Sequence, residues 1–162
     1  MKLKIQKTEW DLSPLLKGDD DPSIDDKRKA IEKSSYEFID KWKSRTDYLQ
    51  ESEVLKEALE EYEKLSRGVF GQGEEGASYT EGYYFWLRTQ QNLNDSKIKA
   101  KYTQAEEFSK KISNELLFFE LNLGKIREED QKRFLKSIEL KSYWHFLDRL
   151  FKNAKHRLSE EG

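Results

Sequence analysis

The strongest constraint on the fold is a stripe of apolar residues that repeats at helical spacing between residues 102 and 123. Its members stand 3, 7, 4, 3 and 4 positions apart: Tyr102, Ala105, Ile112, Leu116, Phe119 and Leu123. Residues three or four positions apart share one face of an α-helix, whereas a strand alternates at every second residue. Gly124 follows at a position typical of a helix C-cap. The pattern predicts one long helix that ends at Gly124 and lies at the centre of the core.

Similar stripes predict two helices in the first half of the chain. Asp21 and Pro22 are typical of a helix start, because Asp accepts bonds from free amides and proline fits the first turn. We expect this first helix to run to about Arg45, and Ser52 to cap the second helix. The expected apolar faces carry Ile24, Ile31, Phe38 and Trp42, with Ser35, in the first helix, and Leu55, Leu59, Tyr62, Leu65 and Val69 in the second.

The remaining helices are predicted from aromatic runs. A tyrosine-rich segment predicts a third helix that ends near Leu93, and two shorter helices are expected over Glu128–Ser137 and Lys141–Asn153. Four glycines within residues 68–76 predict a flexible, lid-like loop between the second and third helices.

The start of the chain is predicted as an extended lead-in over residues 1–18, with a short strand at Leu3–Ile5. Trp10 and Leu12 are expected to pin this lead-in to the body. With 162 residues, 35% hydrophobic and 38% charged, the chain has the composition of amphipathic helices around one core. We therefore predict an all-α fold, an antiparallel helical bundle of about five to six helices with a short extended N-terminal lead-in.

Composition also bounds the chemistry. The chain has no cysteine, which excludes disulfides and thiol catalysis. Its net charge of −2 gives no global attraction to nucleic acid or to acidic membranes, so we expect neither as a partner. No apolar run is long enough to span a bilayer, and the beginning of the sequence lacks a signal-peptide hydrophobic stretch. We expect a cytoplasmic protein.

Catalytic motifs are absent from the sequence. H-E-x-x-H does not occur, and the two histidines, His145 and His156, are eleven positions apart, so no set of about three zinc ligands can be recognised. The Asp19–Asp21 run is interpreted as a solvated turn rather than a calcium loop. The basic, aromatic stretch from Lys141 to Arg157 fits either a nucleic-acid or membrane surface, or a helix C-terminus that favours cations. We favour the structural interpretation.

Several runs taken together resemble a known family. They are Trp10–Ser13 (W-D-L-S), Asn114–Leu123 (N-E-L-L-F-F-E-L-N-L), Tyr143–Leu150 (Y-W-H-F-L-D-R-L) and Lys155–Glu161 (K-H-R-L-S-E-E). Their order and spacing resemble the N-terminal region of oligoendopeptidase F, a member of the M3 peptidases. Residues 68–90 depart from the family pattern.

The resemblance implies an all-helical, zinc-dependent endopeptidase that encloses short peptides in a channel, with the N-terminal helices forming part of its wall. It implies no cofactor in this chain and zinc in the full-length enzyme. The implied partners are a C-terminal catalytic domain of the same polypeptide and short peptide substrates. Residues 1–22 would then be the lead-in, 23–124 a long-helix bundle, and 125–162 a short-helix subdomain leading into the catalytic domain.

No catalytic or metal-binding residue is expected in the chain, and four residues are candidates for interdomain docking or for core: Phe118, Phe119, Trp144 and His156. Leu158–Glu161 resembles the start of a further helix, which is typical of a fragment, although a frayed polar tail has the same composition. The alternative function is a free-standing helical protein-interaction module without enzymatic activity.

Overall fold

Six α-helices form most of this computed structural model, which describes the backbone of residues 10–70 and 77–160 and the side chains of residues 10–67 and 80–155. In chain order they are α1 (Ser23–Trp42), α2 (Ser52–Phe70), α3 (Ala77–Gln91), α4 (Ser96–Gly124), α5 (Glu128–Phe134) and α6 (Trp144–Glu160). Single 3-10 turns at Asp47–Leu49 and Lys141–Tyr143 precede α2 and α6. The described residues contain no strand, so the predicted all-α helical bundle is confirmed.

Helix α4 is the longest and the most central element, as its apolar stripe predicts. Asp95 caps it, because the Asp95 carboxylate accepts hydrogen bonds from the amides of Lys97 and Ile98 at 3.0 and 3.1 Å. It packs against α1, α3 and α6 and ends at Gly124. Its buried residues belong to two separate hydrophobic cores. Ile98 and Ala105, near its beginning, pack in one core, and the buried residues from Ile112 to Leu123 pack in the other.

The larger of these two cores, here called the main core, joins α1, α2, α4, α5 and α6. Its buried members are Ile31, Phe38, Ile39, Trp42, Tyr48, Leu55, Ala58, Leu59, Leu65, Ile112, Leu116, Phe119, Leu123, Ile126, Phe134, Leu140, Leu147 and Phe151. The second core joins the lead-in, α3 and the beginning of α4, with Leu16, Tyr84, Phe85, Ile98 and Ala105 buried. The main core has members on both sides of residue 124, and the domain division at that residue stays a prediction.

The beginning of α1 confirms the role of Asp21. Its carboxylate accepts hydrogen bonds from the amides of Lys17 at 2.8 Å and Ser23 at 2.9 Å, and these two bonds lower the pKa of Asp21 to about 2. The helix ends at Trp42, three residues earlier than expected. The Arg45 amide bonds to the carbonyl of Trp42, and the Arg45 guanidinium lies 4.3 Å from the Trp42 ring, so the chain turns there instead of continuing.

The described part of the lead-in is rich in turns and not extended. The amides of Leu15 and Leu16 both donate to the carbonyl of Leu12, which closes a compact turn. Leu12 packs against the second core as expected, but Trp10 is 57% exposed and does not pin the lead-in by burial. The strand predicted at Leu3–Ile5 lies outside the described residues.

The last two helices differ from their predicted bounds. Helix α5 stops at Phe134, because the amides of Lys136 and Ser137 bond to carbonyls three residues back and tighten the chain into turns. Helix α6 begins at Trp144 and continues to Glu160. Ser159 therefore lies inside α6, and the expectation that it starts a new helix was wrong.

The ends of α2 and α3 also differ from the predicted bounds. Helix α3 ends at Gln91, two residues before the predicted end. Gly68 lies within α2, and residues 71–76 of the predicted lid-like loop are outside the described ranges. None of the helices in these ranges is both long enough and apolar enough to cross a bilayer.

Ser35 on α1 provides a test of core packing. It is fully buried, and its hydroxyl has no hydrogen-bond partner in the described structure. Ser35→Ala should raise the free energy of unfolding by about 1 kcal/mol, because it removes an unsatisfied buried hydroxyl and improves helix propensity. The matched control is Ser34→Ala, because the exposed Ser34 bonds to the carbonyl of Ile31. A urea titration in which Ser35→Ala is less stable than the parent would contradict the packing described here.

Candidate functional site

Of the four candidate residues, Phe119 lies deepest in the main core. It is fully buried and belongs to an aromatic cluster formed by Phe38, Trp42, Tyr48, Tyr62, Phe118 and Phe119. The ring centroid of Phe119 is 4.9 Å from that of Tyr62, 5.3 Å from that of Phe38 and 5.5 Å from that of Tyr48. Phe118 is half-buried at the edge of this cluster, 6.2 Å from Phe38.

Trp144 has a different environment, at the beginning of α6. Its ring is half-buried against the main core, and its indole N–H donates to the carbonyl of Ser137 at 3.0 Å. This bond ties the first turn of α6 to the turns that follow α5. The backbone of His156 lies within α6, and its side chain is outside the described residues. The structure thus places Phe118 and Phe119 in one cluster and Trp144 at a separate helix junction, and their docking role stays a prediction.

Hydrogen bonds that involve three tyrosine phenols, two as donors and one as an acceptor, connect the elements around the aromatic cluster. The phenol of Tyr62 donates to Glu120 at 3.0 Å, and the phenol of Tyr143 donates to Glu63 at 2.8 Å. Asn122 donates to the Tyr48 phenol oxygen at 3.1 Å. Burial is the main cause that raises the pKa of each of the three phenols, and that of Tyr143 rises to about 12. These groups stay protonated near neutral pH and act as structural donors or acceptors.

The segment from the end of α4 to α6, residues 122–155 in the described part, folds back on the bundle as a closing hairpin. A Cβ atom placed on Gly124 would lie 3.1 Å from the Cβ of Ala154, so α4 and α6 approach closely at this point. The buried Gln131 donates to the carbonyl of Ile126 at 2.6 Å, which fixes the entry to α5. Lys155 forms an ion pair with Glu128. The hairpin is therefore held by packing, by a buried amide and by a surface charge pair.

A charged cleft of about 240 Å³ lies near the beginning of α4, between the lead-in, α1, α3 and α4. Asp19 accepts hydrogen bonds from Arg88 at 2.8 Å to each carboxylate oxygen and from the Tyr84 phenol at 2.8 Å. Lys101 donates to the Asp19 carbonyl and to the Asp20 carboxylate. The Asp19 side chain is 27% exposed and connects the lead-in to α3, so the interpretation of Asp19–Asp21 as a solvated turn does not hold for this carboxylate.

Arg28 and Glu81 line the same cleft, and sequence analysis missed this pair. The Glu81 side chain is 5% exposed, and both of its oxygens accept hydrogen bonds from the Arg28 guanidinium. Arg28 also lies over the ring of Phe108. The two residues are 53 positions apart in the sequence, so no local spacing of residues predicts that they form a pair. Within the described ranges, no three His, Cys, Asp or Glu side chains are grouped to hold a metal ion.

The fold and these contacts define a class of protein region, an all-helical bundle in which a C-terminal helical hairpin closes an aromatic core. Residues 122–162 match the N-terminal family model of the M3 peptidases, described as Oligopeptidase F. The match supports an oligoendopeptidase F N-terminal region and confirms the resemblance seen in the sequence. It covers 41 of the 162 residues, from the last turn of α4 to the end of the chain.

Two of the four resembling runs, Tyr143–Leu150 and Lys155–Glu161, lie within the matched residues. Only the last two residues of the run Asn114–Leu123 lie within the matched segment, and the run Trp10–Ser13 lies outside that segment. No curated protein and no solved structure matches the chain.

The Asp19–Arg88 pair predicts a pH dependence of stability. The hydrogen bonds that the Asp19 carboxylate accepts from Arg88 lower the pKa of Asp19 below the ordinary value of 3.8. The stabilisation is therefore complete above pH 3.8 and is lost as the pH falls through the lower, folded-state pKa. Asp19→Asn should reduce the free energy of unfolding by about 1–2 kcal/mol at pH 7, and the difference from the parent should shrink below pH 3.8.

Urea titrations of both proteins across this pH range measure the effect. The control is Asp20→Asn, because the Asp20 side chain is 93% exposed and should contribute little. An Asp19→Asn difference that does not depend on pH would contradict the assignment.

Proposed function

We propose that this chain is the N-terminal helical domain of an oligoendopeptidase F-like zinc metalloendopeptidase that hydrolyses short peptides. Its helices would form part of the wall of the substrate channel. The observation that carries the proposal is the family match over residues 122–162. That segment supplies Leu123, Phe134 and Leu147 to the same core as α1 and α2.

A wall that selects peptides by size must keep its shape, and the packing of the bundle supports that role. Phe119 contacts rings from α1, from α2 and from the 3-10 turn before α2, so movement of one helix would disturb several aromatic contacts. The Tyr143–Glu63 bond links the turn before α6 directly to α2. The matched segment and the long helices would therefore move as one body.

The sequence does not fit a zinc site, and we assign the metal to another part of the polypeptide. A catalytic zinc takes about three protein ligands and an open position. The chain has only two histidines, no cysteine and no H-E-x-x-H motif. In the proposed enzyme, this region would shape access to the channel while zinc and the catalytic groups belong to a C-terminal domain. The cytoplasm is the proposed compartment, since a chain without cysteine needs no oxidising environment.

The proposal predicts that the reading frame continues past Gly162 and encodes an H-E-x-x-H helix. The longer polypeptide should cleave internally quenched peptides of about ten residues and should leave a folded protein intact. The 162-residue chain alone, used as the control, should be folded and helical by circular dichroism, bind no stoichiometric zinc and cleave nothing.

Two results would overturn this proposal. A gene that ends at codon 162 would leave the free-standing helical interaction module as the better account. Tight 1:1 zinc binding by the 162-residue chain, together with peptide cleavage, would place the chemistry in the chain itself.

A further inference from the structure

Helix α3 differs in charge from the rest of the chain. Of the 162 residues, 62 are charged, yet α3 has only two charged residues among its 15, Glu81 and Arg88. Both are ion-paired, Glu81 with Arg28 and Arg88 with Asp19, and their side chains are 5% and 30% exposed. At helical spacing these two positions lie opposite Gly82, Tyr83 and Trp86, so α3 itself places no formal charge on that side. Depletion of charge together with enrichment in aromatic residues is characteristic of the centre of a protein interface.

The same side of α3 exposes two stacked aromatic rings. Tyr83 and Trp86 are 39% and 42% exposed, and their ring centroids lie 5.8 Å apart at an interplanar angle of 16°. At 150–250 Å² for each aromatic side chain, the exposed parts of Tyr83 and Trp86 sum to about 160 Å².

Gly82 leaves a notch on this face. It stands one helical turn before Trp86, so the two positions are neighbours on the helix surface. A Cβ atom on Gly82 would have no heavy atom of a neighbouring element within 4 Å, and Trp86 stacks on Tyr83. Glycine inside a helix costs about 1 kcal/mol relative to alanine. The described packing gives no reason for the small residue, because a side chain would fit there.

A projecting ring and an open notch one turn apart make the face complementary to itself. A two-fold dimer requires this property, because the same patch must supply both sides of the interface. In an antiparallel pair of α3 helices, Trp86 of each copy would cover Gly82 of the other copy. The absence of charge matters equally, because two copies of a charged face would repel.

We propose that two copies of this chain associate through their α3 faces, with Trp86 packed over Gly82 of the second copy. The exposed aromatic area limits the strength of the association, since about 160 Å² from each copy gives about 320 Å² in total. Stable dimers bury about 1,200–2,000 Å², so this association is weak and reversible. The inference does not depend on the peptidase assignment.

Sedimentation equilibrium of the 162-residue chain, from about 10 µM to about 1 mM, tests the proposal. The parent should show a concentration-dependent monomer–dimer equilibrium. Trp86→Ala should raise the dissociation constant about tenfold or more, because truncation removes the projecting ring. Gly82→Leu should do the same by filling the notch, and it should also raise thermal stability, because leucine is a better helix former. Loss of association in that variant cannot be a folding defect.

The matched control is Tyr36→Ala on α1, because Tyr36 is 38% exposed, nearly the same as Tyr83. This variant should associate like the parent. A chain that is monomeric over the whole range would overturn the proposal. Association that persists in both α3 variants would overturn it equally, because the contact would then lie elsewhere.

Discussion

The burial of Phe119 among rings from three other elements is the contact on which the rest of the structure depends. Phe38 comes from α1, Tyr62 from α2 and Tyr48 from the 3-10 turn between them, and all three ring centroids lie within 5.5 Å of that of Phe119. Edge and tilted aromatic contacts contribute about 0.5–1.5 kcal/mol each beyond the area they bury. One residue of α4 therefore fixes the positions of both helices in the N-terminal part of the bundle.

The closing hairpin depends on this arrangement in turn. Leu123 follows Phe119 by four residues and lies on the same face of α4, and it belongs to the main core together with Phe134 and Leu147. Asn122 reaches back to Tyr48, so the end of α4 is bonded to the turn before α2. The part of the chain that matches the oligopeptidase F family is thus built directly onto the aromatic cluster.

The sequence predicted the helices well because their buried faces are periodic. The stripe from Tyr102 to Leu123 appears in α4 as expected, because apolar spacing is a local signal. The helix also ends at Gly124, but the C-cap is Lys125 with a right-handed backbone, so the expected C-cap role of the glycine was wrong. Helix ends were less predictable where a nonlocal contact decides them. Helix α1 stops at Trp42, where Arg45 packs on the indole ring, and no periodicity encodes that contact.

The ion pairs at the charged cleft were also not predictable from local sequence patterns, because their partners are far apart in the chain. Asp19 was interpreted from its acidic neighbours as a solvated residue, but its partners Arg88 and Tyr84 are 69 and 65 positions away. Glu81 likewise finds Arg28 across 53 positions. The burial of Phe119 was easier to predict, because this residue lies on a periodic apolar face of α4. The surroundings of Trp144 were harder to predict, because they depend on turns after α5 that local propensity does not indicate.

If the aromatic cluster joins the long helices and the closing hairpin into one body, both should unfold together. Native-state hydrogen exchange in increasing denaturant measures the opening free energy of each amide. The amides of Leu59 in α2, Leu116 in α4 and Phe151 in α6 should share one opening free energy, equal to that of global unfolding. An opening free energy for Phe151 that is several kcal/mol lower than for the other two would show a separate C-terminal unit and contradict this account.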